Sequence, residues 1–510
     1  MPAAKTPRDI ETRLFTNGEF VESSDKKTFE LKSPSTHQVV AEVHEASESD
    51  TNAAVAAAKA AFPAWSELSP KDRGQYFKKL ASLILESHHE LAYLEAISMG
   101  RPVKGYFDAF AAADTFNYYA EAGAVVLGTS SLNMPGHLNF TLRQPYGVAA
   151  AIIPWNVPIL FLALKAAPAL MAGNTVVLKS SEKAPLTSAK VAQLVQKAGF
   201  PPGVFNIISG HGKTSGAILS SHMDVRVLSF TGSGPTGRLI QAAAAKSNLK
   251  NVILELGGKS PAIIFDDADL EKAAAETAHS IQWNSGQVCM ANSRIYVHES
   301  IAEPFIESFK KKFQVIAAGD PTDEKVNHGP QADEIQYNNV RSYIEMGKTS
   351  GKRILGMDHE ATPDGYLIHP TIFVETQEDA RIMKEEIFGP VVNINTFKTE
   401  AEAISKANDT EFGLYAAVYS KNIDRALRVA KRLEAGTVGV NCTSPTQAKD
   451  MPFGGYKTSG VGREGTTVSL NNFLETKTVL VKLEEFYHQP PLRQVLSAEA
   501  YPWPELAQSS

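Results

Sequence analysis

From Ala149 to Leu256 short β-rich runs alternate with helical stretches: AAAIIP (149–154), NTVVLK (174–179), VFNIIS (204–209), VRVLSF (225–230) and NVILEL (251–256). Such an alternation implies a parallel sheet wrapped by helices. A second series starts at Pro261 with PAIIF (261–265), a helix from Ala268 to Gln282 and RIYVH (294–298), and later reaches AAVYS (416–420) and TVGVN (437–441). It reads as a second α/β domain. The boundary is expected near Gly257-Gly258, where two glycines leaving a strand free the chain to turn.

The first 135 residues carry polar loops and helical patterns such as Asp50 to Ala61 and Pro70 to Leu94, and read as a packing layer. From about Glu484 the chain contains PP and PWP and is expected to be an irregular tail. A length of 510 residues suits about three domains. With 43% hydrophobic residues, 21% charged residues and a net charge of -6, nothing suggests a nucleic-acid partner. Val148 to Ala172 is the most membrane-like stretch, but Pro154, Asn156, Pro158, Lys165 and Pro168 interrupt it. A buried strand followed by a buried helix explains it better. Neither the opening MPAAKTPRDIETRLF nor the closing LAQSS matches a targeting or lipid signal, which points to the cytosol.

The two cysteines, Cys289 and Cys442, are expected as reduced thiols. Cys442 closes an apolar run and reads as a small core residue, whereas Cys289 sits in the glycine-punctuated NSGQVCM. The segment SFTGSGPTG places Gly232, Gly234 and Gly237 in a GxGxxG pattern between a strand and a helix, the setting of a phosphate-binding turn. The general rule then looks for a ribose-binding acid about 20 residues on and nominates Glu255.

Seven segments read together point elsewhere: PWNVP (154–158), KSSE (179–182), FTGSGPTG (230–237), LELGGKSP (254–261), GQVCM (286–290), EEIFGP (385–390) and PFGGYKTSG (452–460). In content and order they resemble the aldehyde dehydrogenase family, from about Leu14 to Leu480. The pair LELGGK and GQVC, with 34 residues from Glu255 to Cys289, is the most specific. The resemblance implies an α/β fold made of a Rossmann-type cofactor domain (1–134 and 146–256), an α/β catalytic domain (257–455) and a small β oligomerisation extension (135–145 and 473–485), followed by the tail (486–510). It implies NAD(P)-dependent oxidation of an aldehyde to a carboxylic acid, in a homodimer or homotetramer. No metal centre is expected.

On the same resemblance Cys289 is the nucleophile, whose thiolate attacks the carbonyl and later leaves the acyl group readily. Asn156 is the side-chain donor to the resulting oxyanion. Glu255 becomes the base that activates water against the thioester, not the ribose ligand, and burial at the end of an apolar strand suits that task by raising its pKa. Glu182 and Lys179 then hold the adenosine ribose. Ser180 stands where relatives usually carry proline or alanine. Ser233, Gly232 and Trp155 fall at pyrophosphate and adjacent contacts, and Glu386 and Phe388 at the nicotinamide ribose and ring. Lys165 and Glu464 match positions that pass protons away from the base. NAD is favoured over NADP because the Glu182 carboxylate repels a 2′-phosphate.

Val157, Leu164, Val288, Met290 and Phe453 are expected to form an apolar pocket suited to an aromatic or medium aliphatic aldehyde. Three other readings compete. They are a binding protein that has lost its chemistry, an acylating relative that uses coenzyme A, and a cysteine hydrolase. The intact set of Asn156, Glu255 and Cys289 argues against the first, retention of Glu255 against the second, and the absence of a histidine in a recommending motif against the third.

Overall fold

A computed structural model of the chain describes residues 10–357, 365–448 and 450–483. The tail expected over 486–510 lies outside them, as do Glu484 and Glu485 of the expected extension. The chain separates into two compact units, Met1–Val125 with Pro145–Leu474, and Val126–Gln144 with Glu475–Ser510.

In the large unit the five strands of the first series pair in parallel, with Val148–Ile152 between Val225–Thr231 and Thr175–Lys179, flanked by Asn251–Glu255 and Phe205–Ile208. They are buried almost throughout, because helices pack on both faces. Succession along the chain runs outward from Val148 through Thr175 to Phe205, then jumps back to Val225 on the other side. A crevice forms at such a reversal, at the carboxyl ends of the strands. There the chain places PWNVP and SGPTG.

Antiparallel strands extend both edges of this sheet. Gly460–Val461 pairs with Asn251–Glu255, and Leu14–Thr16 pairs with Phe205–Ile208 and with Glu19–Val21. The amino-terminal region is therefore more than loops and helices; a further strand pair forms from Thr28–Lys32 and Val39–His44. Each of the first two strands has only three residues, too few to show a period, but the turn between them was legible. Asn17 and Gly18 adopt φ of 55° and 81°, as a two-residue Asn-Gly hairpin requires. The helical pattern from Pro70 to Leu94 also divides, into Pro70–Glu86 and His88–Met99, at Ser87 with φ -93° and ψ 9°.

The second series forms a seven-stranded sheet ordered Lys352–Leu355, Thr371–Val374, Val391–Phe397, Arg294–His298, Pro261–Ile264, Tyr415–Tyr419 and Thr437–Val440. The first three of these were not anticipated. The chain passes between the two sheets over residues 256–260, through Gly257 and Gly258. In the small unit and its borders, Leu474–Lys482, His137–Pro145 and Ser130–Ser131 form a three-stranded sheet. Its third strand begins before the range expected for it. Among the described residues no helix is long and apolar enough to cross a membrane.

Phe77, fully buried on the Pro70–Glu86 helix, meets Phe116 edge-on at 5.5 Å and stacks on Phe200 at 6.2 Å, joining three helical and loop layers. Phe77→Ala should cost about 3–5 kcal/mol, read as a lower urea midpoint of unfolding. An unchanged midpoint would mean that this cluster does not hold the layer.

Candidate active site

Glu255 ends its strand opposite Thr231 of one neighbour and Gly460 of the other. Its side chain is buried, and neither carboxyl oxygen has a hydrogen-bond partner among the described residues. Burial pushes its pKa up to about 8; the Glu464 carboxylate adds to this, while the Lys165 ammonium and the polar groups of Cys289 and Thr231 oppose it. Cys289 is half-buried. Its thiol is raised well above the ordinary cysteine value, by burial first and then by the Glu255 carboxylate. Thiol and carboxyl thus lie within reach of one another, the carboxylate resisting ionisation of the thiol while the thiol group favours that of the carboxyl.

Two glycines make this approach possible. A Cβ on Gly258 would fall 2.2 Å from the carbonyl oxygen of Cys289, and one on Gly257 would fall 2.3 Å from Oε2 of Glu386. Their absent side chains let the LELGG turn press on the Cys289 segment and on EEIFGP together. Glu386 accepts a 3.0 Å bond from the Gly258 N–H. Burial lifts its carboxyl to about 7, against the pull of that N–H and of Lys259.

Asn156 is buried on the loop that leads into the Pro158–Met171 helix. Its side-chain amide donates to the Gln287 carbonyl at 3.0 Å, and its own carbonyl accepts from the Asn284 amide at 3.0 Å. The PWNVP loop is thereby tied to the segment that carries Cys289. On the same helix Lys165, fully buried, donates to Glu464 at 2.7 Å and to the Ser229 hydroxyl at 3.0 Å, while Ser229 donates to Glu464 at 2.9 Å. The sequence reading paired Lys165 with Glu464 but missed Ser229, which stands in no family motif. Thr231 beside Glu255 was missed although it lies within FTGSGPTG, because only the strand register sets it against the carboxyl.

At the crevice, Lys179 donates to Glu182 at 3.3 Å just beyond the Thr175–Lys179 strand. Trp155 and Phe388 meet edge-to-face at 5.4 Å and 82°. Lys183, not singled out in the sequence, sits 5.3 Å over the Trp155 ring and pairs with Asp333 at 2.7 Å. Ser233 caps the Gly234–Lys246 helix, and its hydroxyl donates to Thr236 at 3.0 Å. Gly232 gives its N–H to the Glu255 carbonyl at 3.2 Å, and a Cβ there would lie 2.4 Å from the Phe230 ring. Its glycine thus has a packing reason.

Of the apolar set, Val157, Val288 and Met290 are nearly enclosed, while Leu164 and Phe453 stay partly accessible. Val288 and Met290 belong to one core cluster against which Cys289 and Phe453 pack. Gln447, unforeseen, donates weakly to the Met290 sulfur at 3.5 Å. Cys442 is half-buried, not enclosed as expected, because it follows the Thr437–Val440 strand into a loop.

A profile of the aldehyde dehydrogenase family matches residues 20–479. An aldehyde dehydrogenase of Davidiella tassiana is 45% identical over 476 residues, covering 92% of this chain and 95% of its own. Among solved structures, an aldehyde dehydrogenase from Pseudomonas aeruginosa superposes with a TM-score of 0.91 at 40% identity, covering 93% of this chain and 97% of its own. The NAD+ complex of an aldehyde dehydrogenase from Bacillus cereus superposes with a TM-score of 0.90 at 40% identity, over 93% of this chain and 97% of that one. With the alternating strands, the glycine-mediated contact between LELGG and Cys289, and the buried carboxyl beside that thiol, these likenesses place the chain in the aldehyde dehydrogenase family of NAD(P)-dependent enzymes.

Proposed function

We propose that the protein oxidises an aromatic or medium aliphatic aldehyde to its carboxylic acid with NAD, using Cys289 as nucleophile and Glu255 as base. The observation that carries this reading is the pairing of a buried, unpartnered Glu255 carboxyl with the Cys289 thiol. A carboxyl with a pKa of about 8 takes a proton from a thiol or from water far better at neutral pH than an ordinary glutamate does. Glu255 removes the Cys289 proton; the sulfur bonds to the aldehyde carbon, and the carbonyl π pair moves onto oxygen. The free N–H of the Asn156 amide stabilises that oxygen, its partner N–H being held by Gln287.

The crevice and the polar groups around it fit a dinucleotide. Lys179 and Glu182 would hold the adenosine ribose, Ser233 and Gly232 the pyrophosphate at a helix amino terminus, Trp155 the adjacent contact, Glu386 the nicotinamide ribose and Phe388 the ring. When bound, NAD supplies the hydride acceptor that converts the Cys289 hemithioacetal to a thioester. Glu255 gives up the proton it took from Cys289 and, ionised again, deprotonates water, which adds to the thioester carbon and expels the Cys289 thiolate. Lys165 and Glu464, with Ser229, form a hydrogen-bonded path for the released proton. Val157, Leu164, Val288, Met290 and Phe453 shape the aldehyde pocket. The small sheet, with exposed Leu132, Leu142 and Leu480, joins subunits of a homodimer or homotetramer.

Glu255 works as a base only when ionised, so kcat/KM for the aldehyde should rise about tenfold per pH unit below its pKa and level off above about 8. Glu255→Gln should lower the rate and move that limb upward, toward the range in which the thiol itself ionises. A flat wild-type profile across the range would contradict the base assignment. For the cofactor, Glu182→Gln replaces a charged acceptor with a neutral one and should raise the KM for NAD about 10–100-fold, narrow the preference over NADP and leave kcat nearly unchanged. Loss of kcat with an unaltered KM would move Glu182 out of the ribose site.

A further inference from the structure

The residues just before the nucleophile are held in an unusual backbone. Asn284 and Ser285 have φ, ψ of 49°, 35° and 53°, 38°, and Gly286 follows at φ 77°. Two successive non-glycine residues in the left-handed region are strained, and such strain persists only where the surroundings over-determine it. Besides the Asn156 carbonyl that holds Asn284, the surroundings include one segment, Gly329–Ala332, which belongs to none of the motifs found in the sequence. The Ser285 hydroxyl donates to the Gly329 carbonyl at 2.8 Å and accepts from the Gly329 N–H at 3.1 Å. Gln331 donates to the Ser285 carbonyl at 3.2 Å. The Gln287 side chain completes the brace: its Oε1 accepts from the Ala332 N–H at 2.9 Å, and its Nε2 donates to the carbonyls of Asn284 at 3.2 Å and Pro330 at 3.4 Å. Ser285, Gln287 and Gln331 are all buried.

Gln287 is fixed by its side chain, and its backbone carbonyl is the group that anchors Asn156 at 3.0 Å. A primary amide carries two N–H donors on one rigid plane, so anchoring one sets the direction of the other. We infer that Gln287 is a positioning residue for the oxyanion donor: bonded to Gly329–Ala332, it aims the free N–H of Asn156 at the reacting oxygen. This rests on the reading of Asn156 as that donor.

The test is a double-mutant cycle on kcat. Gln287→Met keeps the length of the side chain and removes its polar bonds, and Asn156→Ala removes the donor itself. Gln287→Met should lower kcat about 10–100-fold, the scale of a small misplacement of a catalytic group, with the KM for NAD within about twofold of wild type. In the Asn156→Ala background the same substitution should cost less than about a further twofold, because the group it positions is gone. Independent losses that multiply in the double variant would overturn the inference. So would a wild-type kcat in Gln287→Met. Should Gln287→Met fail to fold, Gln287→Glu, which retains the acceptor for Ala332, takes its place under the same criteria. A wild-type rate in Asn156→Ala alone would instead overturn the donor assignment, and the inference with it.

Discussion

A carboxyl group taken out of water without a hydrogen-bond donor is expensive to keep, commonly by several kcal/mol if it is charged, and Glu255 is such a group. It stays because a strand holds it. Glu255 is the last residue of Asn251–Glu255, registered against Thr231 on one side and Gly460 on the other. The backbone ladder fixes the side chain where solvent cannot reach it, whether or not a polar partner is present. Its proton affinity then follows from burial, with Glu464 and Lys165 acting in opposite senses.

The rest of the site is assembled against that strand end. Immediately after it the chain turns through Gly257 and Gly258 and starts the second sheet, so the Glu255 carboxyl lies at the junction of two sheets by construction. Because neither glycine has a side chain, Cys289 and Glu386 come in from the second sheet's side, while Asn156 comes from the first sheet and is bonded to the Cys289 segment through Gln287. An acid, a thiol and an amide from distant parts of the sequence are thereby held by backbone contacts, which rearrange far less readily than exposed side chains.

Much of this was legible from the residues. The five apolar runs between Ala149 and Leu256 reported the parallel sheet because strands covered on both faces carry little else. Family motifs named Glu255, Cys289 and Asn156, and the glycines of LELGG acquired their reason once the packing was seen. What escaped notice lacked either length or chemical distinction. The strands Leu14–Thr16 and Glu19–Val21 are too short to show a period, although Asn17-Gly18 announced their turn. Ser229 and Thr231 are ordinary residues in a buried strand, and only the hydrogen bond of Ser229 to Glu464 and the register of Thr231 opposite Glu255 make them part of the site. Gln287 sits inside the motif that carries the nucleophile, yet its partners, Pro330 and Ala332, lie more than forty positions away.

The central claim, that Glu255 drives hydrolysis of an acyl group carried on Cys289, is tested most directly by intact-protein mass spectrometry of Glu255→Gln. The variant would be mixed with NAD and aldehyde at a pH raised toward the thiol's own range, so that attack does not depend on the missing base. A burst of NADH is expected, then arrest, with the acyl mass accumulating on Cys289. Steady turnover at the wild-type rate, with no acyl adduct, would contradict it.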